Sequence, residues 1–258
     1  MIEERKKIEI DHYNKKGGEL LNSKDKNIGS EGLDLFEMSS YKFLLKYLRD
    51  KCKNRDLLDY GCGSGVHSFW LAELGARVTA IDLSDKLLEV AKREKEEAHK
   101  DCSVQFFLMD CEKLEFKDNS FDIIFDGGSF SSLDLNKALP GMVRVLRPNG
   151  FLIGIETFGY NPFANFKRQI NRIVGRRTGW AASHIFRNDD IKKADAFFEK
   201  KQMFYFHLIS WVAFLLLKIP GGAYLLKILE VFDRIFLKVP FLRKYSFKVV
   251  FIFSKPKK

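Results

Sequence analysis

Between Asp56 and Glu156, short apolar runs alternate with longer stretches in which apolar residues return every three or four positions. The short runs read as strands and the periodic stretches as helices. Their alternation predicts an α/β fold, a doubly wound and mostly parallel sheet with helices on both faces. Strands are expected at Leu57–Tyr60, Arg77–Asp82, Val104–Met109, Phe121–Phe125 and Phe151–Glu156. Helices are expected over Val66–Leu74, Leu87–Lys100 and Leu135–Leu146, the last interrupted at Pro140-Gly141. Upstream, Leu33–Leu48 has helical spacing. Residues 1–32 are charged and carry Gly17-Gly18 and Gly29-Ser30-Glu31-Gly32, which predicts a short helix followed by a flexible segment.

The first strand breaks at once into Gly61-Cys62-Gly63-Ser64-Gly65. Alternate glycines let the backbone turn through φ values closed to other residues and let a ligand approach the main chain. The spacing is not the dinucleotide Gly-x-Gly-x-x-Gly, because the third glycine comes one residue early and Val66 takes its place. Asp59, just ahead of the turn, would also repel a pyrophosphate. A ligand with an ammonium and a sulfonium suits it better. Asp82, with Leu83 beside it, closes the second strand 17 residues beyond Gly65, where a carboxylate can accept both ribose hydroxyls of an adenosine. Asp110 and Cys111 follow the third strand, suited to an adenine amino group and ring nitrogen.

With these segments in order, residues 55 to 157 closely resemble the class I S-adenosylmethionine-dependent methyltransferases. The matching stretches are Leu57–Gly65, Val78–Ser84, Met109–Phe116, Phe121–Phe125 and Arg144–Gly150 leading into Phe151–Glu156. The resemblance implies a Rossmann-like seven-stranded sheet and S-adenosyl-L-methionine as cofactor. It implies that Gly61, Cys62, Gly63 and Gly65 pack on the methionine part, with Asp59 near its amino group. Asp82 and Leu83 would then meet the ribose and Asp110 and Cys111 the adenine, while Asp126 and Gly127 face the methionine and the acceptor. It also implies a closing antiparallel pair, for which Gln202–Leu208 and Ser246–Ser254 are the candidates, and N-terminal helices that close over the cofactor. The expected division is a helical cap at 1–50 and a methyltransferase domain at 51–258, with a helical insertion at about 208–243.

Four cysteines, Cys52, Cys62, Cys102 and Cys111, lack C-x-x-C spacing and clustered histidines, so no disulfide framework and no metal site is expected. Met1 to Lys26 is too polar for a signal peptide, which predicts a cytoplasmic chain. The net charge of +10 is uneven, with 20 Lys and Arg against 6 Asp and Glu from Asn161 onward. That basic excess can attract a polyanion.

Within the basic part, Met203–Leu217 runs 15 residues without charge, short of the roughly 20 that cross a bilayer. Ala223–Val239 is amphipathic with a broad apolar arc. Two readings stand side by side: a helical hairpin packed on the sheet or on a second subunit in a homodimer, and an in-plane anchor peripheral on an anionic membrane surface. Nucleic acid is disfavoured, since the basic residues are interspersed with aliphatic runs.

Methyl transfer to a hydroxyl needs a base, most often histidine. His12 lies in the N-terminal segment, His67 opens the helix after the glycine turn, His99 ends a charged helix and His207 falls in an apolar run. By elimination His184 is the candidate catalytic base. Gly127 to Ser132 supplies none. Tyr160 through Thr178 is similar to prokaryotic methyltransferases of cell-surface glycans and lipid-linked sugars, in which Arg168, Arg172, Arg176 and Arg177 would hold a phosphate. The expected reaction is O-methylation of a membrane-associated glycan or glycolipid. A quinone or other lipid acceptor is the alternative, and a non-catalytic membrane- or subunit-binding protein that keeps the cofactor fold is the rival of another class.

Overall fold

The computed structural model describes residues 3–23, 37–217 and 219–258. Two helices, α1 (Glu4–Asn22) and α2 (Ser39–Leu48), precede β1 (Asp56–Tyr60), α3 (Val66–Glu73), β2 (Arg77–Asp82), α4 (Asp85–Ala98) and β3 (Val104–Leu108). Then come β4 (Phe121–Asp126), α5 (Leu135–Val145), β5 (Leu146–Thr157), α6 (Pro162–Ile173), α7 (Gly179–Ser183), α8 (Asn188–Lys193) and β6 (Phe198–Phe206). A 3-10 segment (Ser210–Leu215), α9 (Gly222–Phe236), α10 (Pro240–Arg243) and β7 (Lys248–Pro256) complete the order.

The seven strands form one sheet in the order β3-β2-β1-β4-β5-β7-β6. β1 to β5 run parallel, and β7 is antiparallel to both β5 and β6. Alternation along the strands produces two cores, one on each face. Leu58, Ile124 and Leu152 point into the first, while Leu57, Ile123 and Ile153 point into the second. Strand order reverses between β1 and β4, so their carboxyl ends open a crevice.

Several expectations are corrected. The expected N-terminal helix runs 19 residues, Glu4–Asn22, so His12 sits on ordered structure, while residues 24–32 of the expected flexible segment lie outside the described residues. Gly17, read as a sign of flexibility, is a packing residue: a Cβ there would come within 2.7 Å of the Lys86 backbone, so only glycine lets α1 lie this close to α4. Of the helix expected from Leu33, residues 33–36 lie outside the described residues. Pro140 does not interrupt α5, which runs through it. The uncharged run from Met203 is split between strand and 3-10 segment by His207, a buried residue at φ 61°. No helix among the described residues is long and apolar enough to cross a membrane.

The segment between β6 and β7 packs through a few apolar residues, Ala213, Phe214 and Leu226, and through a set of polar contacts. Asp233 is buried and accepts from the Ile209 and Ser210 amides, Glu230 accepts from the Ser39 amide at 2.9 Å, and His207 bonds the Ser40 and Ser210 hydroxyls. The apolar stripe of α9 points outward instead. Tyr224, Ile228, Val231, Phe232, Ile235 and Phe236 are all exposed. The hairpin packed through its apolar face is therefore not what this chain forms within itself.

Candidate active site

The glycine turn is laid across the end of β2. The Gly61 and Cys62 amides donate to the Ile81 carbonyl at 3.0 and 2.9 Å, and the chain bends through φ 74° at Gly61 and 54° at Gly63. This brings the Gly63 amide to Asp82 Oδ2 at 2.8 Å, while Asp82 Oδ1 accepts from Ser84 N at 2.9 Å. The Asp82 carboxyl is thereby fixed between the turn and the start of α4. Burial raises its pKa, and the backbone donors partly offset that shift.

A cavity opens at this edge. Of the residues singled out from the sequence, Gly61, Gly63, Asp82, Leu83, Asp110, Cys111 and Gly127 line it together. Asp59, Cys62, Gly65 and Asp126 are not among its lining residues. Asp59 is buried and accepts from the Ser68 hydroxyl at 2.5 Å; burial pushes its pKa up to about 7. Gly65 serves packing, since a Cβ would meet Ala91 and Phe106 at 3.1 Å. Cys62 and Cys111 are buried thiols whose pKa burial pushes well up, so neither offers a reactive thiolate. Asp126 is fully buried. Its Oδ1 accepts from the Ser129 amide and hydroxyl, while Oδ2 has no partner.

His184 does not join this group. It is an exposed side chain stacked on Trp180 with ring centroids 3.5 Å apart, and it lines a different hollow with Asp134 and Arg187. His67 lies closer to the site: a Cβ on Gly127 would fall 2.6 Å from its Nδ1. Its ring bonds the Tyr41 hydroxyl at 3.3 Å, and burial pushes its pKa down to about 4. It is therefore neutral at physiological pH.

Sequence reasoning missed two parts of the site. Glu156, near the carboxyl end of β5, is buried and accepts from the Phe130 amide at 2.8 Å. Burial raises the proton affinity of both carboxyls, the Glu156 charge raises that of Asp126 further, and Lys248, Arg168 and Arg177 partly offset the rise at Glu156. An acid closing an apolar strand was the available signal, the same one that marked Asp82. The other part is the set of α1 residues in the cavity wall, Arg5, Lys6, Glu9, Ile10 and Tyr13, none of which was named although helices over the cofactor were expected. No local pattern announces this, because it depends on how the helix docks. Among the described residues, no group of three or more His, Cys, Asp or Glu could hold a metal ion.

Residues 58–154 match the family model described as a methyltransferase domain. The ubiquinone biosynthesis O-methyltransferase of Coxiella burnetii is 33% identical over 135 residues, covering 51% of this chain and 54% of that protein. The malonyl-[acyl-carrier protein] O-methyltransferase of Serratia marcescens is 40% identical over 103 residues, covering 38% of this chain and 36% of that protein. This chain thus spans about half or less of the length of these curated relatives. Among solved structures, Haemonchus contortus phosphoethanolamine N-methyltransferase 2 bound to S-adenosyl-L-methionine superposes with a TM-score of 0.55. It is 20% identical and covers 84% of this chain and 52% of that one, a likeness of fold. Fold, glycine turn and the match over residues 58–154 together support a class I S-adenosylmethionine-dependent methyltransferase domain in this chain. Its cofactor is S-adenosyl-L-methionine, and the residues present suit it: a fixed acid for the ribose, a glycine floor, and a buried carboxylate oxygen without a partner near the glycine turn.

Proposed function

We propose that the chain transfers the methyl group of S-adenosyl-L-methionine to a hydroxyl of a membrane-associated glycan or glycolipid. In this reading Asp82 and Leu83 take the ribose, Asp110 and Cys111 the adenine, and Gly61, Gly63 and Gly127 the methionine portion. Asp59, Cys62 and Gly65 support that wall from behind. Methyl transfer is an in-line displacement, so the fold contributes mainly by holding donor and acceptor in register. Asp126 and Glu156, two carboxyls competing for a proton, supply the proton acceptor in place of His184.

The observation that carries the membrane part is the inverted amphipathy of two helices. On α6, Phe163, Phe166, Ile170 and Ile173 are exposed while Arg168 is buried; on α9 the apolar stripe is exposed while Asp233 is buried. Phe163 of α6 meets Trp211 of the 3-10 segment that precedes α9, with ring centroids 4.8 Å apart. Exposed Lys167, Arg172, Lys227 and Arg234 lie on the same two helices, and exposed Lys238 follows α9. Apolar faces rimmed by cations fit an anionic leaflet, to which each such charge contributes about 1 kcal/mol.

The similarity to a ubiquinone biosynthesis O-methyltransferase favours a second reading, with a quinone as acceptor. Labelled methyl transfer from the cofactor into total lipid and polysaccharide extracts, resolved by mass spectrometry, separates the two. Label on a glycan or glycolipid supports the first and label on a quinone the second. Label in neither contradicts both.

A further inference from the structure

The inversion of α6 leaves a guanidinium where a core residue is expected. Arg168 is 5% exposed and lies on the helix face opposite Phe166, which is 68% exposed. Its Nη1 donates to the Ala181 carbonyl at 3.0 Å, and Arg177 Nη1 donates to the same oxygen at 3.1 Å. Among the described residues no carboxylate forms an ion pair with either. Glu156 is within electrostatic range of both but does not pair with them. Two cations held on one carbonyl repel each other, and desolvation together with that repulsion brings the Arg168 pKa down to about 10. Each guanidinium has five N–H donors, of which the Ala181 carbonyl takes one from each.

Neither arginine lines the cofactor cavity, but Arg177 is tied to its wall and acts electrostatically on Tyr13. Arg177 precedes Thr178, whose hydroxyl donates to Glu9 on α1, and Glu9 and Tyr13 both line the cofactor cavity. Planar guanidinium forks match the oxygens of a phosphate, and a doubly charged group between them would relieve the repulsion. We propose that Arg168 and Arg177 form a subsite for a phosphate or pyrophosphate group carried by the methyl acceptor, an inference that rests on the methyltransferase reading. The neighbouring Arg172 and Arg176 are exposed and stand outside this subsite.

The test is calorimetric titration of the full chain, first with S-adenosylhomocysteine and then, with that ligand bound, with inorganic pyrophosphate. The expected result is pyrophosphate binding that weakens about tenfold or more in Arg177→Gln and in Arg168→Met, and is unchanged in Arg172→Gln and Arg176→Gln. Arg177 is half-buried, so its variant carries the test should Arg168→Met fail to fold. Co-sedimentation with phosphatidylglycerol vesicles that pyrophosphate competes away assigns the subsite to a lipid headgroup. Pyrophosphate binding indifferent to vesicles assigns it to a soluble phosphate. Absence of pyrophosphate binding, or equal binding in wild type and Arg177→Gln, overturns the subsite. Failure to bind S-adenosylhomocysteine overturns the methyltransferase reading instead.

Discussion

Lys6 reaches across the cofactor cavity from α1 and holds Asp110, Nζ to Oδ2 at 2.5 Å. The same ammonium lies 3.0 Å from Glu112 Oε2, and Arg5 Nη2 lies 2.5 Å from Glu112 Oε1. Glu112 is 1% exposed, so these cations balance a buried charge as well as tying α1 to the loop expected to hold the adenine. Lys6→Met is predicted to cost about 1–3 kcal/mol and to release α1. Hydrogen exchange over residues 4–22 and the dissociation rate of S-adenosylhomocysteine should both rise. Unchanged exchange in α1 would show that the helix is held by other contacts.

Two adjacent glycines in α1 should respond in opposite directions. Gly17→Ala places a methyl 2.7 Å from Lys86 and is predicted to destabilise by about 1–3 kcal/mol. Gly18 has nothing within 4 Å of its added Cβ, so Gly18→Ala should stabilise by about 0.5–1 kcal/mol through helix propensity. Thermal unfolding of the two variants checks the pair of signs.

The order of strands, the glycine turn and Asp82 were legible because each rests on a local pattern: alternation, a backbone conformation only glycine adopts easily, an acid closing an apolar run. Gly17 and Pro140 were misread for the same reason, since docking on α4 and the packing around α5 decide their roles. His184 was reached by elimination, and elimination carries no geometry. The amphipathic spacing of Ala223–Val239 was legible, but which face α9 turns outward was not, and α6 was not read as a helix. Polar contacts decide both: Asp233 satisfies the Ile209 and Ser210 amides, and Arg168 is drawn toward Ala181.

Asp59 makes stability depend on pH with a defined sign. Its pKa is about 7 in the fold against about 3.9 unfolded, so between those values the folded state holds a proton that the unfolded state has lost. Stability should therefore fall as pH rises through this window, by about 1.4 kcal/mol per unit at most, and level off above pH 7. Asp59→Asn keeps an oxygen for Ser68 and removes this contribution. Urea unfolding at pH 5 and pH 8 should show the variant gaining on the wild type at the higher pH.

Glu156 offers a kinetic test of the proton acceptor. Burial raises its proton affinity, and burial together with the Glu156 charge raises that of Asp126, so the pair takes up its last proton at higher pH than an isolated carboxyl would. Activity is predicted to rise as the pair deprotonates, and Glu156→Gln should lower kcat more than it raises KM while flattening that limb of the profile. An unchanged pH profile would remove the pair from proton transfer.

Outward substitutions should separate membrane docking from folding. Phe166→Ser and Ile173→Ser alter residues 68% and 83% exposed, so thermal stability should hold while flotation with anionic liposomes falls. If the wild type floats with neither anionic nor neutral liposomes and instead dimerises through this face, the apolar surface is a subunit interface.

The central claim is that the turn from Gly61 to Gly65, with Asp82 fixed behind it, takes S-adenosyl-L-methionine. Calorimetric titration with S-adenosylhomocysteine tests it most directly, with NADH as the competitor and Asp82→Ala as the control. The prediction is micromolar binding of S-adenosylhomocysteine that disappears in Asp82→Ala, with no heat from NADH. Binding of NADH in its place, or S-adenosylhomocysteine binding indifferent to Asp82, would contradict the account.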